Sequence, residues 1–170
     1  MELTALDEDA LGEAAHKLGA VLEPGDLVLL SGPMGAGKTT FTRALAVGLA
    51  VARPDRVRSP TFNICLLHAG PKPLAHIDLY RLSETGDAAA FEALGLESLV
   101  DGSELEDSHV VIVEWGELWR DPPAARLDVA IEPSADATTL RSLTITAAGA
   151  RHEARLTAWA QAVRPRSSRG

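Results

Sequence analysis

Gly32 to Thr39 reads GPMGAGKT: a glycine, four residues, a second glycine, then lysine and threonine. That spacing suits a phosphate group. Glycines take backbone conformations closed to other residues, so successive N–H groups from Gly35 through Ala36, Gly37 and Lys38 to Thr39 can turn inward on anionic oxygens. A helix beginning at this point adds the positive end of its dipole to the loop, with Thr40 in its first turn. Lys38 brings a full charge to the outer phosphates, and the Thr39 hydroxyl can ligate magnesium. A glycine turn that only caps a helix accounts for a strand before it and a helix after it, but not for the Lys-Thr pair. The chain has three lysines, Lys17, Lys38 and Lys72, and one of them stands here.

A phosphate loop of this kind works with a carboxylate at the end of a neighbouring strand, where it positions magnesium and its water. Two acids qualify. The apolar run Val110 to Val113 ends in Glu114, and Leu74 to Ile77 leads into Asp78. Both stand at the C-terminal edge of an expected strand, the edge at which open α/β sheets bind ligands. Lys38, Asp78 and Glu114 are therefore the expected catalytic set, with Thr39 and Glu114 on the metal. RSPTF, Arg58 to Phe62, places Ser59 and Thr61 around a proline between the loop's helix and the next strand. That is where a segment sensing the outer phosphate would lie; an ordinary turn fits the residues equally well.

The elements needed to hold these groups follow from periodicity. Leu11, Ala14, Ala15, Leu18 and Leu22 recur at helical spacing and predict a helix over 7–22 with acids in its first turn. Leu27 to Leu30 is a short buried strand, and 38–50 a helix. FNICLLH, LAHIDLY, HVVIVEW, RLDVAIE and LRSLTIT are further strands. Residues 87–100, rich in Ala and Leu, are expected to be helical, as are 151–163. The alternation predicts an α/β fold of one domain, 1–163: a mixed, mostly parallel β-sheet flanked by helices, with antiparallel strands toward the C-terminal end where links are short. Residues 164–170, RPRSSRG, form a basic flexible tail.

Composition excludes some classes. The 170 residues carry a formal net charge of −8, which argues against a broad basic surface for nucleic acid. Cys65 is the sole cysteine, so neither an internal disulfide nor a multi-cysteine metal site can form, which suits a reducing compartment. The N-terminus is acidic where a signal peptide is basic, and no apolar run reaches the ~18 residues of a membrane span. The expectation is a cytoplasmic protein that touches neither membrane nor DNA. His68 and His76 read as packed or hydrogen-bonded imidazoles, and Trp119 and Trp159 as core or interface anchors. Arg81 has no role fixed by sequence.

Taken in order, SGPMGAGKTTFTRALAVGL, SPTF, HIDLYRL, LGLESL and VIVEWGE resemble the TsaE (YjeE) family over about 7–147. The resemblance implies a compact single-domain P-loop NTPase fold that binds ATP and Mg2+. It also implies an ATPase weak by itself and acting with the partners TsaD and TsaB in making N6-threonylcarbamoyladenosine beside the anticodon of tRNA, which it meets only indirectly, through the complex. By the same resemblance Lys38 is the phosphate lysine, Thr39 the magnesium ligand, Glu114 the Walker B acid, Asp78 the second acid, and 59–61 the switch-like loop, with Trp115 beside the site. Pro33 and Met34 depart from the family's usual Asp-Leu, and Glu8 stands where the family often has threonine. Alternatives are a P-loop small-molecule kinase, with Arg53, Arg56 and Arg58 as lid residues, and a nucleotide-gated binding module. A GTPase would need an Asn/Thr-Lys-x-Asp guanine reader, and none of the three lysines stands in one.

Overall fold

The computed structural model describes residues 1–59, 65–80, 108–134 and 139–164. Seven strands form one sheet: β1 (Glu2–Leu6), β2 (Leu27–Ser31), β3 (Cys65–His68), β4 (Leu74–Asp78), β5 (Val110–Glu114), β6 (Arg126–Pro133) and β7 (Arg141–Ala148), in the order β1-β7-β6-β2-β5-β4-β3. Among the described residues three helices accompany them: α1 (Glu8–Val21), α2 (Lys38–Gly48) and α3 (Ala150–Val163). Five strands, β1, β2, β4, β5 and β6, point one way, while β7 and β3 oppose them. The sheet is thus mixed and mostly parallel in strand direction, as the pattern predicts. The expected helix at 87–100, Arg81 and residues 165–170 lie outside the described residues.

Burial explains why the central strands read as continuous apolar runs. β4 and β5 are buried at every position and β2 at all but its last, because both sheet faces are covered. Alternate residues divide between two cores. Val28, Leu30, Leu74, Val110 and Ile112 face the side that carries α1 and α2, and Leu27, Leu29, Ala75, Ile77, Val111 and Val113 face the other. The parallel register then sets Asp78 opposite Glu114 on adjacent strands, and Leu30 opposite Glu114 on the other side, just before the glycine loop.

Two elements differ from the sequence reading. β1 was not expected; its residues ELTAL pair antiparallel with β7 at the sheet edge, a partner some 140 positions away. The other difference is a second antiparallel pair, β3 with β4, at the opposite edge from the C-terminal strands. Its link, 69–73, is too short for the crossover that parallel pairing requires.

Helix α2 is seated against α1 by two glycines. A Cβ on Gly19 would stand 2.1 Å from the Leu45 carbonyl oxygen, and one on Gly48 2.1 Å from that of His16, so only glycine permits this crossing. Asp7 caps α1, its Oδ1 accepting from Ala10 N at 2.8 Å. Helix α3 is fixed by Trp159, fully buried, whose Nε1 donates to Ala14 O at 2.9 Å.

At the foot of the sheet Asp26 is fully buried and receives Arg155 Nε at 2.8 Å and Glu23 N at 2.8 Å, with Arg151 Nε 3.0 Å from its other oxygen. Beside it His152 Nε2 accepts from Leu27 N at 3.2 Å, which requires an unprotonated nitrogen. Burial pushes the His152 pKa down, opposed by Asp26 and helped by Arg151 and Arg155. Burial likewise lowers His68, helped by His76, and lowers His109. A folded-state pKa below the unfolded value of about 6.5 stabilises the fold above that pH, and the contribution is lost as pH falls through the folded value. The melting temperature should therefore decline as pH drops below about 6.5. His152→Gln, whose amide oxygen can accept from Leu27 N without charging, should show a shallower decline; an unchanged slope would exclude His152 as a contributor.

Candidate functional site

β2 delivers Gly32 to the C-terminal edge of the sheet, between β5 and β6. Its φ is 140°, and a Cβ there would lie 2.2 Å from the Ile131 carbonyl oxygen, so the chain can leave the strand here only as glycine. Gly35 at φ 77° and Gly37 at φ 105° continue the loop, and Gly37 caps α2 in a left-handed conformation. Ala36 N donates to Pro33 O at 3.1 Å. That N–H is thus committed to a turn within the loop, where the sequence reading counts it among the inward donors, and the Ala36 side chain is buried in the core.

Lys38 is buried, and its Nζ donates to Gly32 O at 2.6 Å and Pro33 O at 3.0 Å. It stands 3.6 Å from the centroid of the Trp115 ring, an attractive cation–aromatic arrangement. Burial lowers the Lys38 pKa from its ordinary value, while the carboxylates of Glu117, Glu114 and Asp78 oppose that shift. Trp115 adopts φ 59°, an uncommon left-handed conformation for a bulky residue, and packs on Tyr80 with ring centroids 4.9 Å apart.

Glu114, almost wholly buried, is the hub of the site. Thr39 Oγ1 donates to its Oε2 at 2.9 Å. His76 Nε2 lies 2.8 Å from Oε1. The Thr42 hydroxyl divides its proton between Oε1 at 3.1 Å and Lys38 O at 3.0 Å. Asp78 is held by Ser59 Oγ, which donates to Oδ2 at 2.6 Å, and by Tyr80 N, which donates to Oδ1 at 3.0 Å.

A cleft of about 390 Å³ joins these groups. Gly35, Gly37, Lys38, Thr39 and Thr40 of the loop and helix line it together with Ser59, Asp78 and Glu114. The sequence-predicted residues thus converge, except Ala36, which points into the core, and Thr61, which lies outside the described residues. Exposed Met34 stands at the cleft on the loop's outer face, where the chain departs from the family pattern. Arg53 bonds Asp55 at 3.2 Å and is exposed.

Two contributors, Thr42 and Arg141, are missing from the sequence reading, and a third, His76, is read there as a packed or hydrogen-bonded imidazole with no link to the site. Thr42 lies one helical turn beyond Lys38 and so shares its face, a signal visible once Glu114 is placed. His76 is two residues before Asp78 on the same strand, hence on the same face. Arg141 braces the loop, its Nε donating to Ala36 O at 3.1 Å; more than a hundred residues separate the partners, and no local pattern announces the contact.

Magnesium fits this donor set. Among the described residues no group of three or more His, Cys, Asp or Glu side chains is placed to cage a metal. A threonine hydroxyl beside a carboxylate offers hard oxygens that complete a coordination shell together with phosphate oxygens and water.

Strand, glycine loop, helix and two acids on neighbouring strand ends define an α/β protein of the P-loop type. A family model described as threonylcarbamoyl adenosine biosynthesis protein TsaE matches residues 5–142, and the chain belongs to that family. It is similar to the tRNA threonylcarbamoyladenosine biosynthesis protein TsaE of Streptomyces coelicolor, 43% identical over 148 residues, covering 82% of this chain and 91% of the relative. The Bacillus subtilis protein of the same name is 39% identical over 136 residues, with 79% of this chain and 77% of the relative covered. The crystal structure of Bacillus subtilis YdiB superimposes with a TM-score of 0.74 at 28% identity over 96% of both chains.

Proposed function

We propose that this chain binds and hydrolyses magnesium-ATP and thereby serves threonylcarbamoyladenosine formation on tRNA, acting with TsaD and TsaB. Family membership supports the pathway. The observation that carries the ATPase reading is the contact of Thr39 Oγ1 with Glu114 Oε2 at 2.9 Å, in the cleft that also holds Lys38 and Asp78. It brings the metal-type hydroxyl of the loop and the acid of the next strand to one point.

In this reading the backbone of Gly35, Gly37 and Thr39 binds phosphate oxygens at the start of α2. Lys38 exchanges two neutral carbonyl partners for an anion, which makes the charge-assisted contact the stronger one. Bound Mg2+ supplies charge neutralisation on the transferred phosphoryl group. Thr39 and Glu114 hold that ion, and Asp78 orients the attacking water. Ser59 donates to Asp78 and so is tied to the acid it would regulate; Ser59 and Thr61 are the residues through which TsaD and TsaB act on turnover. Contact with tRNA runs through that complex, and the setting is the cytoplasm, without membrane or DNA. Among the described residues no helix is long and apolar enough to cross a membrane.

Calorimetric titration with ATP, with and without Mg2+, tests the site. Binding that tightens with Mg2+ supports it; no binding, or binding indifferent to Mg2+, refutes it.

A further inference from the structure

β4 reads LAHID, and every residue in it is buried. An imidazole at the centre of such a strand is costly unless it is hydrogen-bonded. His76 is 0% exposed and among the described residues has a single polar contact, Nε2 to Glu114 Oε1 at 2.8 Å, while its buried Nδ1 has no partner among them. A buried N–H without an acceptor costs more than a lone pair in the same place, so the proton belongs on Nε2, where the carboxylate receives it. Glu114 is then gripped from two sides: β4 holds Oε1 through His76, and α2 holds Oε2 through Thr39 and adds the longer contact of the shared Thr42 hydroxyl to Oε1.

We propose that His76 is a positioning residue for Glu114: its Nε2–H fixes the carboxylate so that Oε2 stays turned toward the Thr39 hydroxyl and the metal. This rests on the magnesium-ATP reading above. His76 touches no nucleotide or metal and acts only through the acid.

The test uses two amides that reach different nitrogens of the lost ring. The Gln amide nitrogen reaches the place of Nε2, and the Asn amide nitrogen only that of Nδ1. In His76→Asn the Mg2+ concentration needed to tighten ATP binding should rise roughly tenfold, with ATP affinity in the absence of Mg2+ unchanged, as for loss of an outer-shell partner. His76→Gln should restore most of that difference. Equal loss in both variants, or a normal Mg2+ response in His76→Asn, overturns the proposal, since a purely structural role would lower the melting temperature without separating the two. Nitrogen NMR of the wild-type imidazole without nucleotide supplies a readout independent of ATP. It should place the proton on Nε2, with a resonance that shifts in Glu114→Gln; a proton on Nδ1 overturns the proposal even if ATP binding is as expected. Conversely, a wild type that ignores Mg2+ while His76 carries its proton on Nε2 would sink the magnesium-ATP reading and leave the hydrogen bond standing.

Discussion

Replacing Lys38 with alanine should cost about tenfold to a hundredfold in ATP affinity, because a charge-assisted contact to phosphate is worth roughly 1.5–3 kcal/mol. The fold should persist. Although Lys38 is buried, its two hydrogen bonds go to carbonyls of the loop itself, Gly32 O and Pro33 O, and not to the sheet or the second core. The loop keeps its other supports: the Gly32 contact with β6, the Ala36 turn and the Arg141 brace. Trp115 loses the cation 3.6 Å from its ring, so tryptophan emission should change in the variant before any ligand is added. Calorimetry decides the affinity, and circular dichroism checks the fold. Wild-type ATP binding by a folded Lys38→Ala protein would show that this loop does not hold the phosphates.

Glu114→Gln should separate hydrolysis from binding. Its turnover should fall about a hundredfold or more, as when a charge stabilising the transition state is removed, while ATP affinity changes by less than about tenfold. The site can still pair the amide: its oxygen can accept from His76 Nε2 and the Thr42 hydroxyl, and its NH2 can donate to the Thr39 hydroxyl, which turns to accept. The fold should therefore persist, and the loss falls on the charge that faces the metal. Asp78→Asn should be milder, because Asp78 is held by Ser59 and a backbone N–H, and an amide oxygen can still accept from either one. Wild-type hydrolysis by Glu114→Gln would move the metal role to Asp78.

Much of this arrangement was legible in the residues. The loop spacing, the acids ending two apolar runs and the helical period of α1 are local patterns, and local patterns survive in a single sequence. What places Asp78 beside Glu114 is strand register, a pairing between segments more than thirty residues apart that no single run encodes. β1 escaped for a related reason: five residues of weak alternation become a strand only because β7 offers an edge. His76 reads as a packed or hydrogen-bonded imidazole, but its partner depends wholly on what the next strand brings opposite it, and Thr42 reads as any helix threonine. Arg141 reaches the loop across the sheet, which only the folded chain makes a neighbour.

The most direct measurement is ATP turnover by the purified chain, alone and with TsaD and TsaB, alongside threonylcarbamoyladenosine formed on tRNA. The predicted result is slow turnover alone, a changed rate with the partners, and modification that requires Lys38 and Glu114. Fast turnover unaltered by the partners, with a phosphorylated small molecule as the product, would contradict the account and identify a kinase.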